Sequence, residues 1–184
     1  MSPGKIIVLT GDIQSGKTSL CQELAQKAKE ESIQLAGLLS PGVFQEGKKI
    51  GIDVINLNNW EQRHLAVLKE KNQTELETRR WSFYPEIIQW GNQTLINAVP
   101  CDLLVVDELG PLEFNRGEGW ISGLAAVDSG SYQSALVVIR PSLLKMAGQR
   151  WEIFQVIDLN DPLYITLSGE DLFSRLQIQK TNNL

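Results

Sequence analysis

Residues Gly11-Asp12-Ile13-Gln14-Ser15-Gly16-Lys17-Thr18 read GxxxxGKT and sit between the apolar run Ile6-Ile7-Val8-Leu9 and a segment with helical periodicity. Strand, glycine loop and helix in that order fix how the start of this chain can fold. A loop that wraps an anion turns successive backbone N–H groups inward, which needs glycine where a side chain would clash or φ must be positive. The eight residues are therefore read as a phosphate-binding loop. Lys17 would reach the outer phosphates as a point charge, and the Thr18 hydroxyl would ligate Mg²⁺. The helix beginning here aims its positive end at the same anion. Its apolar positions Leu20, Leu24, Ala25 and Ala28 share a face, with Gln22, Glu23, Gln26, Lys27 and Lys29 on the other.

A phosphate loop of this kind calls for an acidic residue at the end of another strand, because the nucleotide's metal needs a second protein partner. Leu103-Leu104-Val105-Val106-Asp107-Glu108 supplies one. The four apolar residues suit a buried parallel strand, Asp107 would hold Mg²⁺ through water opposite Thr18, and Glu108 is the natural general base for an attacking water. Taken alone, this would be an ordinary strand leaving into an acidic turn. Together with GxxxxGKT it reads as the pair of motifs named Walker A and Walker B.

With 184 residues and 42% hydrophobic content, the chain can bury one substantial core, and residues 1–184 are expected to form one α/β domain. A net charge of −5 without a basic stripe argues against nucleic acid as a partner. The apolar runs are too short for a membrane span or a signal peptide, and Cys21 and Cys101 have neither metal-ligand nor disulfide spacing. A reducing cytoplasm is the expected location.

Further along, residues 33–40 suit a second parallel strand. Ile50, Ile52 and Val54 then alternate against Gly51 and Asp53 after the Glu46-Gly47 turn signal, so residues 43–54 predict a hairpin inserted near the nucleotide edge of the sheet. Short strands are expected at 64–67 and 81–84, a helix from Pro85 to about residue 98, and another over 119–127. Residues 135–139 and 154–159 suit parallel strands, with helices over 142–148 and 169–179. Strands alternating with helices put ligands at the strands' carboxyl ends, where both motifs lie.

Three segments carry a family resemblance: the loop GDIQSGKT, the stretch Gly37 to Leu57 with its pattern "G…EG…IG.DV..L", and Val106-Asp107-Glu108-Leu109-Gly110-Pro111-Leu112-Glu113. Together they resemble the THEP1-type nucleoside-triphosphatase family. The resemblance implies a RecA-like three-layer α/β/α P-loop NTPase core with a mostly parallel central sheet and an inserted β-hairpin. It also implies slow, Mg²⁺-dependent hydrolysis of nucleoside triphosphates with broad base preference. By motif, Lys17 and Thr18 carry over as phosphate and metal contacts, Asp107 as the metal-side acid and Glu108 as the catalytic acid; Glu113 fits the pattern without a role following from it. The chain departs from the family after 136–139, where Arg140-Pro141 stand in place of an expected polar residue such as histidine. Two readings of Arg140 stay open: a γ-phosphate contact that stabilises transition-state charge, or a structural ion pair.

Other residues have plain readings. His64 has no partner at telling spacing and reads as a surface or strand-edge residue. Trp60, Trp81, Trp90, Trp120 and Trp151 are scattered, as packing residues are. Arg79-Arg80 would be either a lid over the phosphates or a solvated pair, and Lys48-Lys49 keep the hairpin tip soluble. Alternatives to hydrolysis are a small-molecule kinase using the same loop, and a nucleotide-binding regulatory or assembly protein with little turnover.

Overall fold

Buried strands take almost no polar residues, and this chain meets that condition at its centre. In the computed structural model, which describes residues 4–69 and 81–178, Val8, Leu9, Leu103, Leu104, Val105, Val106, Leu136 and Val137 have no solvent exposure at all. Each such side chain contributes roughly 1.5–3 kcal/mol by leaving water, and only a strand covered on both faces can bury them. These residues lie on β1 (Lys5–Thr10), β7 (Cys101–Leu109) and β8 (Tyr132–Ile139). With β2 (Leu35–Leu39) and β9 (Ile153–Asp158) they form a parallel array in the spatial order β2-β7-β8-β1-β9.

The alternation of side chains along these strands makes two cores. On one face Val8, Leu104, Val106 and Val137 meet Leu95 of α2 (Pro85–Ile96), Leu124 of α3 (Ile121–Asp128) and Ala147 of α4 (Leu144–Arg150). On the other, Leu9, Leu103, Val105 and Leu136 meet Leu20 and Leu24 of α1 (Lys17–Glu30) and Leu172 and Leu176 of α5 (Gly169–Leu176). The result is the three-layer α/β/α arrangement that the family resemblance implies. Gly37, in the middle of β2, shows how closely the strands pack: its φ is 116°, and a Cβ there would lie 1.8 Å from the Val105 carbonyl oxygen on β7.

The inserted hairpin is present and larger than its sequence signal. β3 (Gly42–Gln45) and β4 (Lys48–Asn56) pair antiparallel across residues 46–47. β4 also joins the edge of β2, and β5 (Gln62–Leu68) and β6 (Trp81–Phe83) extend it further, all antiparallel. The described strands thus form one nine-stranded mixed sheet in which a four-stranded antiparallel wing continues the parallel core. Since Gly42 of β3 sits opposite Ile52, and Leu39 of β2 opposite Ile55, the hairpin projects past the carboxyl end of β2. That is the edge where both motifs end.

Several details differ from the sequence reading: the closing helix expected over 169–179 ends at Leu176, with Gln177 in the left-handed region, and the helix expected over 142–148 runs Leu144–Arg150. The helix from Pro85 stops at Ile96, two residues early. After the Gly110-Pro111 break comes a π-helical turn, Leu112–Arg116, that no periodicity announced. Arg79-Arg80 and Gln179, the last residue of the expected closing helix, lie outside the described residues.

Candidate active site

The phosphate loop needs unusual backbone angles, and its residues adopt them. Gly11 has φ 143°, and a Cβ there would fall 2.8 Å from Ser15 Oγ and 3.2 Å from Leu159 Cβ. Gly16, at φ 91°, faces open space, so its requirement is conformational rather than steric. Gln14 takes φ 66° without being glycine. The turn is closed by Ser15 N–H donating to the Asp12 carbonyl at 3.2 Å. It is tied to the segment following β9 by Asp12 N–H donating to Asn160 Oδ1 at 3.2 Å. Ile13, at the tip, is 82% exposed.

The start of α1 is left open. Gly16 precedes the helix with no side-chain cap, and the first turn holds no acidic residue. α5, by contrast, is closed by a capping box between Ser168 and Asp171. The unpaired N–H groups of α1 and its positive dipole end therefore face whatever the loop surrounds. Lys17 folds back over that space, with Nζ donating to Gly11 O (2.9 Å), Asp12 O (2.6 Å) and Ser15 Oγ (3.1 Å). Burial lowers its pKa below the usual lysine range; Glu108 and Asp107 oppose that shift, and Arg140 adds to it. Lys17 thus senses all three charges from the ends of β7 and β8.

Asp107 ends the buried run of β7 and is only 1% exposed. Its Oδ2 accepts the Ser40 N–H at 3.0 Å, and it shares a hydrogen bond with the Thr18 side chain. Burial raises its pKa to about 6; the bonds from Ser40 and Thr18 and the nearby Lys17 only partly offset the loss of water. The donors here are a carboxylate and a neighbouring hydroxyl, both hard oxygens. No group of three or more His, Cys, Asp or Glu that could cage an ion exists among the described residues. Such a set fits a divalent metal that completes its shell with water and phosphate oxygens, and the cation's charge would relieve the buried carboxylate.

Glu108 is displaced by an irregularity that the sequence does not announce. Val106 pairs with Val137 and Leu109 with Ile139, so three steps along β7 oppose two along β8. The bulge contains Asp107 and Glu108, and Glu108 takes φ 71°. A bulge re-aims side chains at the end of a strand. Here the Glu108 carboxylate turns to Arg140 at the end of neighbouring β8, with Arg140 Nε 3.1 Å and Nη2 2.5 Å from Oε1. Of the two readings of Arg140, the ion pair is the one present, and it is formed with the expected general base.

Glu113 now has a role. Its carboxylate accepts the N–H groups of Gly110 and Trp120, both at 2.7 Å, and so pins the π-helical turn that follows the Walker B strand. Burial raises its pKa. Gly119 gives it room, since a Cβ there would sit 2.1 Å from Glu113 Oε1. Ser40 and Asn160 also hold the site; the only sequence hint was a strand ending in Ser-Pro for the first, and there was none for the second. Cys21 and Cys101 are buried free thiols raised by burial. His64 stands on the wing against Asp53, with its side chain 73% exposed, and Gln62 Nε2 donates to the same carboxylate at 2.6 Å. Trp120 and Trp151 are buried packing residues.

Comparison with known proteins agrees with this architecture. A family model described as NTPase matches residues 6–168. Among curated relatives named nucleoside-triphosphatase THEP1, the protein of Methanopyrus kandleri is 26% identical over 108 residues, covering 58% of each chain. That of Caldivirga maquilingensis is 30% identical over 110 residues, 60% of this chain and 61% of its own. That of Methanosarcina barkeri is 24% identical over 162 residues, 84% and 88% of the two chains. Against the Methanopyrus, Methanocaldococcus jannaschii and Caldivirga relatives the chain spans 58–63% of their length. Two solved structures share the fold: a human cancer-related nucleoside triphosphatase (TM-score 0.68, 19% identity, 95% of this chain and 98% of that one) and THEP1 from Aquifex aeolicus (TM-score 0.60, 14% identity, 94% and 99%). With a family model matched along residues 6–168 and a phosphate loop facing a Walker B strand, this chain belongs to the THEP1-type NTPase family.

Proposed function

We propose that this chain is a Mg²⁺-dependent nucleoside-triphosphate phosphohydrolase that converts NTPs to NDP and phosphate. The observation that carries the reading is the convergence of Lys17, Thr18, Asp107, Glu108 and Arg140 from three strand ends on one locus. A base beside the metal-side acid is what hydrolysis needs and mere binding does not.

Backbone N–H groups over Gly11 to Thr18 and the Lys17 ammonium hold the polyphosphate chain, displacing the three contacts that Lys17 now makes to the loop. Thr18 and Asp107 would hold Mg²⁺, which neutralises charge on the outer phosphates when bound. Glu108 accepts the proton of a water whose oxygen attacks the γ-phosphorus. The bond from that phosphorus to the β–γ bridging oxygen breaks, and its electron pair departs with the diphosphate. Arg140 supplies positive charge to the oxygens of the phosphoryl group in transit.

The substrate is a nucleoside triphosphate; nucleic acid and membrane are not partners in this reading. No helix among the described residues is long and apolar enough to cross a membrane. We take residues 1–184 as one NTPase domain, since a single sheet runs through all the described strands. A cytoplasmic location suits the two buried free thiols.

The test is free phosphate released from ATP, GTP, CTP and UTP with Mg²⁺ and no added acceptor. Release is expected from the unaltered protein, and Glu108→Gln is expected to lower kcat by about 10²-fold or more while nucleotide binding is retained. Turnover that requires a co-substrate would make the protein a kinase. Tight binding without turnover would make it a regulator.

A further inference from the structure

The ends of β7 and β8 carry opposite charges that occupy each other. Arg140 Nε and Nη2 both donate to one oxygen, Oε1 of Glu108. The bulge in β7 and the left-handed backbone at Glu108 bring that side chain to the end of β8. A carboxylate oxygen already accepting two charge-assisted bonds has its lone pairs occupied and is not free to take a proton from water, and a guanidinium so engaged is not available to a phosphate. While the pair holds, neither residue can act on a substrate.

Two features make the pair exchangeable. Both side chains are half exposed, at 50% for Arg140 and 43% for Glu108, so water and salt screen the attraction. Both donors share a single oxygen, so the two-on-two pairing that strengthens guanidinium–carboxylate contacts is not formed here. A terminal phosphoryl group offers three acceptor oxygens and nearly two charges. β1 and β8 are paired neighbours with Leu9 opposite Val138, so the loop that follows β1 and Arg140 at the end of β8 leave the sheet side by side, and a polyphosphate held by the loop would end beside the pair.

We propose that Arg140 discriminates triphosphate from diphosphate by exchanging Glu108 for the γ-phosphate, and that Glu108 is released as a base only when that phosphate arrives. The inference rests on the hydrolase reading and adds a coupling to it. The group to be cleaved unlocks the base that cleaves it, and a bound diphosphate leaves the pair closed.

The experiment is calorimetric titration with Mg²⁺ and either a β,γ-methylene triphosphate analogue or the corresponding diphosphate. Four proteins are compared: unaltered, Glu108→Gln, Arg140→Ala and the double variant. Glu108→Gln frees the arginine without moving it, so triphosphate affinity is expected to rise about three- to fivefold, the weight of an exposed ion pair. Diphosphate affinity should stay the same. In the Arg140→Ala background, Glu108→Gln should bring no gain for either ligand. A gain that persists without Arg140 would mean simple relief of charge repulsion and would overturn the exchange, as would an equal gain with diphosphate or no gain at all. Failure of the unaltered protein to bind the triphosphate analogue would instead overturn the hydrolase reading beneath it.

Discussion

Lys17→Ala is expected to lower kcat/KM for every triphosphate by about 10³-fold or more. The Lys17 ammonium reaches across the loop to Gly11 O, Asp12 O and Ser15 Oγ. Those acceptors mark the space that phosphate oxygens would enter. Burial has already lowered the pKa of this lysine, and an arriving polyphosphate restores the preference for its charged form. Losing it removes attraction in the bound state and still more as charge moves onto the leaving oxygen. Steady-state phosphate release should therefore show kcat falling as well as KM rising. The fold should be retained, because the Lys17 ammonium bonds to its own loop and ties no two elements of the core together.

Asp107→Asn is expected to do two opposite things: abolish divalent-metal-dependent turnover and stabilise the fold. Asp107 is buried, with its pKa raised from 3.8 to about 6. Below the unfolded value both states hold the proton and burial of the carboxyl carries no charge penalty. As pH rises through 3.8 the unfolded chain ionises first, so stability falls until the folded carboxyl ionises near 6. Above that the penalty is complete, of order 3 kcal/mol from the size of the shift. Asparagine keeps the acceptor for Ser40 N–H and removes the charge. With chelator present at about pH 7.5, the variant should melt roughly 5–10 °C above the unaltered protein, and the difference should disappear below about pH 4. Thermal melts at the two pH values decide it. A divalent cation added at the higher pH should raise the melting point of the unaltered protein and leave the variant's nearly unchanged. As pH drops through about 6, protons compete with the metal for Asp107, so the divalent-cation concentration needed for half-maximal rate in the unaltered protein should rise.

Much of this site could be read from the sequence because its defining features are local. GxxxxGKT fixes its own turn through Gly11 and Gly16, and the helix after it follows from the spacing of Leu20, Leu24 and Ala28. Leu103 to Val106 could only be a central strand, and Asp107 and Glu108 are simply its next residues. What depends on neighbours was not legible. The register slip against β8 gives Glu108 its backbone and its partner, and a slip between strands about 30 residues apart leaves no trace in either. Arg140 was open to two readings because its direction is set by that slip. Ser40 and Asn160 act from the ends of β2 and β9, through a backbone N–H and an amide oxygen that any sequence could offer. The wing was half legible: alternation marked its hairpin, while the attachment of β4 to the edge of β2 is a tertiary choice. The Asp53 carboxylate beside His64 belongs to that choice too, since the two meet only when β4 and β5 pair.

In the reaction proposed above, water deprotonated by Glu108 attacks the γ-phosphorus of a triphosphate held by the Gly11 to Thr18 loop. Turnover in ¹⁸O-labelled water, with both products analysed by mass spectrometry, measures it directly. One solvent-derived oxygen is expected in each released phosphate and none in the diphosphate, with Glu108→Gln slowing the labelled release. Label in the diphosphate, or phosphate transfer that proceeds only to an added acceptor and takes up no solvent oxygen, would contradict it.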